Sequence, residues 1–128
     1  MRVIAFGVLI LIVFCGCERK VAEPKSVEGV VTFLGRPLSG GLIVMTPDRG
    51  RGMTGKPVIA SIHADGHYAL PAKEMLPGWY RVSISDPATW NVVEGFPPAL
   101  RKPDCSGLSR QILAGREHRF DFLIDASR

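Results

Sequence analysis

From position 27 onward, apolar side chains recur at every second position in short runs, and Gly, Pro or Asp interrupts each run before it reaches helical length. Side chains of a strand point alternately to opposite faces, so this period describes strands with one buried face each. No run long enough for a helix of three turns is evident. The expected fold is therefore all-β, with short strands packed as a sandwich. Val27, Gly29, Val31 and Phe33 share one face of a first strand, opposite Glu28 and Thr32, and Gly35, Arg36 and Pro37 turn the chain. Ile43 and Met45 line the same face of a second strand, which Pro47 closes because proline cannot donate to a ladder. Residues 58–63 and 67–70 flank Ala64, Asp65 and Gly66 and read as a β-hairpin, Gly66 supplying a positive φ. Pro77 and Gly78 open a strand with Tyr80, Val82 and Ile84 inward and Trp79, Arg81 and Ser83 outward. A last strand sets Phe120, Phe122 and Ile124 against Asp121 and Asp125. Residues 48–56 read as a flexible loop and residues 86–110 as a long connection, a length that in compact domains goes with covering or binding something. With Ile62, Tyr68 and Leu70, the inward positions make up the expected core.

The N-terminal segment follows a different pattern. Arg2, an uncharged apolar run over residues 3–14, then Cys15, Gly16 and Cys17 before the charged Glu18, Arg19 and Lys20, have the layout of a signal peptide with its cleavage site. The run falls short of the roughly 20 apolar residues that cross about 30 Å of hydrocarbon. Gly16 ahead of Cys17 resembles a bacterial lipobox, which makes Cys17 the acylated residue and the new N-terminus. Cys15, preceded by the bulky Phe14, fits that role less well. The expected organisation is a lipoprotein signal peptide over residues 1–16, a lipidated, solvated tether over 17–26 and one sandwich domain over 27–128. The protein is expected to be exported and held on the outer or cytoplasmic membrane through Cys17, facing the periplasm or the cell exterior.

Removing 16 of the 128 residues leaves 112, enough for one small core. The formal charge of +4 falls to +3, since Arg2 carries the only charge removed. The cations are dispersed among acids, with no basic stripe interleaved with aromatics, which argues against nucleic acid as a partner. With Cys17 acylated and Cys15 removed, Cys105 is left as a single thiol in the turn-like Asp104-Cys105-Ser106-Gly107, so the fold relies on its core rather than on a disulfide.

Several segments in order resemble a known family. They are Val27-Glu28-Gly29-Val30-Val31 with Gly35-Arg36-Pro37-Leu38, then Gly40-Gly41-Leu42-Ile43-Val44-Met45-Thr46-Pro47, then Asp65-Gly66-His67-Tyr68-Ala69-Leu70, then Pro77-Gly78-Trp79-Tyr80-Arg81-Val82. Together they are similar to the carboxypeptidase regulatory-like, or transthyretin-like, domains of small bacterial lipoproteins. That resemblance implies a seven-stranded immunoglobulin-like sandwich of prealbumin-like topology, without catalytic activity and without a cofactor. Tyr80, two residues after Gly78 at the start of a late strand, is placed to form a tyrosine corner whose hydroxyl bonds back to nearby backbone.

Three constellations invite a functional reading. The first is the lipid anchor itself, with the sandwich acting as an adhesion, scaffold or ligand-presenting module toward an envelope polysaccharide or protein. Trp79, Trp90 and Phe96 form the second, a candidate aromatic platform for a sugar ring, because large rings supply contact area at low entropic cost. His63 and His67 about Asp65 are the third, the start of a metal-dependent accessory subunit, although a zinc site needs three or four ligands and the sequence places no further one nearby. No Gly-x-Ser-x-Gly elbow occurs and no pair of carboxylates suited to glycoside chemistry can be named. The expected protein is non-enzymatic, with no metal and no catalytic residues.

Overall fold

The structure, a computed structural model, describes residues 23–86 and 95–125. The described residues form strands β1 (Ser26–Phe33), β2 (Arg36–Pro37), β3 (Leu42–Pro47), β4 (Val58–Ser61), β5 (His67–Leu70), β6 (Gly78–Ser85), β7 (Leu108–Ile112), β8 (Glu117–Arg119) and β9 (Phe122–Ile124). Three single 3-10 turns, Arg49–Arg51, Ala72–Glu74 and Pro98–Arg101, complete the elements. Among the described residues no helix is long and apolar enough to cross a membrane.

The strands make two sheets, so the all-β reading of the alternation holds. β1 is the spine of the first. It pairs antiparallel with β5, Val27 opposite Leu70, and parallel with both β8 and β9. Val27 faces His118 and Val31 faces Phe122, so β8 and β9 keep one register along β1. The second sheet runs β4-β3-β6-β7, antiparallel throughout. Burial along β1 alternates strictly, with Val27, Gly29, Val31 and Phe33 inward. Ile43 and Met45 of β3 and Tyr80, Val82 and Ile84 of β6 meet them from the facing sheet.

Of the expected core, only Phe120 lies part-way out, packed against the cluster rather than within it. Leu38, Val58, Met75, Phe96 and Ile112 join the buried set. Tyr80 forms the expected corner: its hydroxyl donates to the Leu76 carbonyl at 2.7 Å and accepts the Leu76 amide at 3.0 Å.

Four local expectations are corrected. Residues 58–63 and 67–70 are not a hairpin, because β4 pairs with β3 while β5 pairs with β1 in the other sheet. The turn at Gly66 has the expected positive φ, and Asp65 caps it by accepting the His67 amide at 3.0 Å. It carries the chain between sheets because β3 and β1 each offer an open edge: the Ile62 amide bonds to Gly41 on one side and the Val31 amide to Gly66 on the other. Ser83, on the outer face of β6, is buried, since the Pro98–Arg101 turn packs over that strand. The connection after β6 ends at Leu108, where β7 begins. Finally, order reaches into the expected tether: Pro24 is buried, and the backbones of Glu23 and Lys25 bond to Gly115 and Arg116. Residues 1–22, with Cys15 and Cys17, lie outside the described residues, as does Trp90.

Candidate functional site

β7 and β9 are edge strands, each paired on one side only among the described residues, and they face each other across the gap between the sheets. The register with β6 puts Leu108, Arg110 and Ile112 on the inner face of β7, opposite Val82, Tyr80 and Gly78. Alternation along β9 turns Phe122 and Ile124 inward and leaves Leu123 outward and 82% exposed. Between the two strands runs a groove of about 350 Å³, floored by Leu108, Phe122 and Ile124 and walled at one end by Pro97, Ala99 and Leu100. An edge strand usually carries a device against unwanted pairing, such as an inward charge or a covering loop. β9, reading Phe-Leu-Ile, carries none of its own.

Among the described residues Arg110 is the one cation in the groove lining. Its guanidinium lies 4.8 Å from the Phe122 ring centre and 5.9 Å from that of Phe120, and it donates to the Ser109 carbonyl at 2.8 Å. Cation–π contact of this kind holds a guanidinium over an aromatic face without using up its hydrogen-bond donors. Among the described residues no carboxylate lies within ion-pair distance of Arg110. Asp121, the nearest candidate in sequence pattern, is committed elsewhere, accepting the Val30 amide at 2.9 Å and facing the Arg119 Nε at 3.4 Å. Tyr68 donates to the Phe120 carbonyl beneath this region. Burial, reinforced by the Asp121 charge and partly offset by Arg110 and Arg119, pushes the Tyr68 hydroxyl well above the usual phenol range. It stays a neutral donor and holds the β8–β9 junction in place.

A second, polar cleft of about 350 Å³ opens on the far side of β7, lined by Asp48, Arg51, Arg81 and Asp104. The Asp48 carboxylate is buried, caps the 3-10 turn by accepting the Gly50 amide at 3.1 Å, and lies 3.4 Å from Arg81 Nε and 3.5 Å from Arg51 Nε. Arg81 also reaches Asp104 at 3.2 Å, so it ties two loops together. A separate pair, Asp86 with Arg101 at 2.6 Å, pins the Pro98–Arg101 turn to the end of β6. These charges neutralise one another and act as fastenings. The loop at 48–56, which composition alone marks as flexible, is thus held by a buried carboxylate. The sequence signal for it is an Asp placed directly after the strand-ending Pro47, where an N-cap belongs.

The aromatic platform is not assembled among the described residues. Phe96 is buried at 5% exposure with its ring 5.7 Å from Phe33, and Arg101 covers its other side. Trp79 is half-buried with Arg51 stacked over its ring at 4.0 Å. His63 is exposed and His67 sits 3.8 Å from Glu28, and no group of three or more His, Cys, Asp or Glu among the described residues is placed to hold a metal ion. Cys105 is exposed in its turn. Sequence reasoning passed over Leu108, Arg110 and Leu123, the residues that define the groove. No family model, curated protein or solved structure matches the chain.

Proposed function

We propose that the chain is a non-enzymatic binding module, exported and anchored in a membrane through an acylated Cys17, whose sandwich presents the β7–β9 groove to a ligand outside the cytoplasm. The observation that carries the reading is the groove: an apolar slot between two strand edges that are unpaired among the described residues, with one guanidinium inside it that no carboxylate of those residues pairs. Ligand sites are characteristically apolar concavities with few, well-placed polar groups. The interior polar groups elsewhere support a non-catalytic role, because Asp48, Asp86, Tyr68 and Tyr80 are all engaged in structural bonds.

We further propose that the sandwich is of the prealbumin-like, carboxypeptidase regulatory-like kind. If the two-residue β2 is treated as an extension of its turn and β8 with β9 as one interrupted strand, seven strands remain, the number expected of a prealbumin-like, carboxypeptidase regulatory-like domain. The tyrosine corner at Tyr80 supports an immunoglobulin-like sandwich as well.

Two measurements test it. Mass spectrometry of the membrane-extracted protein is expected to find a diacylglycerol adduct on Cys17 that Cys17→Ser lacks, and an unmodified, freely soluble wild type overturns the anchoring. Ala99→Trp, at an exposed position in the groove wall, is expected to abolish retention of the protein's native ligand in membrane pull-downs while leaving the circular dichroism unchanged. Unaltered retention overturns the binding role of the groove.

A further inference from the structure

We infer that the groove receives the C-terminal end of an extended peptide, which pairs with the free edge of β9 and places its terminal carboxylate on Arg110. The inference rests on the binding-module reading and adds the chemistry of the ligand.

Three features of the groove select this occupant. β9 offers main-chain donors and acceptors along an edge that nothing pairs among the described residues, and adding a strand is the usual way an extended peptide satisfies such an edge. A strand added beside β9 points alternate side chains into the space between Leu108, Phe122 and Ile124, which is apolar and open. Charge sets the direction. Arg110 stands beside Phe122 at one end of the groove, where the Asp121 carboxylate is already held by the Val30 amide and Arg119, and Asp125 lies at the other, exposed, on the outward face. From Phe122 to Asp125 is three residues, roughly 10 Å of strand. A peptide running antiparallel to β9 brings its carboxylate to Arg110, its last side chain into the groove, and the side chain three positions earlier to the outward face beside Asp125. A basic residue there completes the match.

The same charges disfavour the other occupants. A second copy pairing antiparallel through its own β9 would set Asp121 and Asp125 against the partner copy's acids, and like charges directly opposite destabilise a sheet. An acyl chain would use the apolar floor and Arg110 but neither the strand edge nor Asp125. Arg110 is suited to a carboxylate because its planar fork donates to two oxygens at once, and its seat over Phe122 holds that fork in position.

The test is fluorescence anisotropy with the N-terminally labelled peptide Lys-Val-Thr-Leu, titrated with the full chain in detergent. The free acid is expected to bind, and both the C-terminal amide and Arg110→Gln to weaken binding at least about tenfold. Combining the two changes is expected to add little, since both remove one contact. Arg110→Lys, which keeps the charge, should fall between, and its thermal midpoint guards against a folding defect. Asp125→Lys should weaken binding of this peptide and favour one with Glu in place of the Lys. Equal binding of acid and amide, or no binding of either, overturns the inference. Should that happen while Ala99→Trp still abolishes retention from the membrane, the groove remains a binding site for different chemistry; if Ala99→Trp has no effect, the binding-module reading falls with it. Concentration-dependent dimerisation abolished by Leu123→Pro, without peptide binding, would assign the edge to a second copy.

Discussion

Two single side chains show how much of the stability is decided locally. Leu34 has a φ of 50° and Gly35 a φ of 77°, the pattern of a type I′ turn between the paired Phe33 and Arg36. Leucine is a poor choice there, because its Cβ crowds the following carbonyl, and being 56% exposed it gains little packing in return. Leu34→Asn is expected to raise stability by about 1 kcal/mol, read as a higher urea midpoint at unchanged slope. Tyr80 is the opposite case. Its hydroxyl serves both backbone groups of Leu76, so Tyr80→Phe leaves a donor and an acceptor short and is expected to cost about 1–3 kcal/mol. Burial raises the pKa of both Tyr68 and Tyr80 above the ordinary value of 10.0. The folded state therefore favours the neutral phenol. That stability is fully present below pH 10.0 and is lost as pH rises through the folded-state values. Alkaline titration of unfolding should show a steep loss that Tyr80→Phe makes shallower. The corner was legible from Gly78 and Tyr80 because it is a local motif. The pairings of Asp48 and Asp86 were not, since their partners Arg81 and Arg101 approach from elsewhere in the chain, although the place of Asp48 after Pro47 marks it as a cap.

At the scale of elements, the strands with clean alternation were the readable ones. Val27, Val31 and Phe33 of β1 and Tyr80, Val82 and Ile84 of β6 are apolar at alternate positions, and that period marks both strands. β7 is hard to read from sequence because its inward middle position is Arg110, whose charge breaks the apolar period while its stacking on Phe122 keeps the strand in place. The turn at Gly66 misled for another reason: the same backbone chemistry serves a hairpin and a passage between sheets, and only the open edges of β1 and β3 decide between them. The junction of β1 with β8 and β9 depends on Gly29. A Cβ there would run into the Phe120 carbonyl oxygen and lie 2.9 Å from the Tyr68 hydroxyl. Neither neighbour can yield cheaply, one being backbone and the other committed to that same carbonyl. Gly29→Ala is expected to destabilise by about 1–3 kcal/mol. Amide exchange should speed up along β8 and β9 before it does in β3 and β6.

For the molecule as a whole, a single core joins the two sheets, and Phe122 sits in it at 3% exposure beside Tyr68. Phe122→Ala is expected to cost about 3–5 kcal/mol, a large share of the roughly 5–15 kcal/mol that holds a domain of this kind together. Calorimetry should show one transition shifted strongly downward; a loss below about 1 kcal/mol would contradict the inward placement of Phe122. The core was legible in advance because burial follows the strand period. The groove was not, because it is made by two edges that meet only once both sheets have formed. The parallel pairing of β1 with the last strands also has a mechanical side. A pull on the chain at Glu23 is transmitted directly into β1, which lies between β5 on one flank and β8 with β9 on the other. Load along that strand is shared by its hydrogen bonds to both flanks and shears them together rather than peeling them one by one.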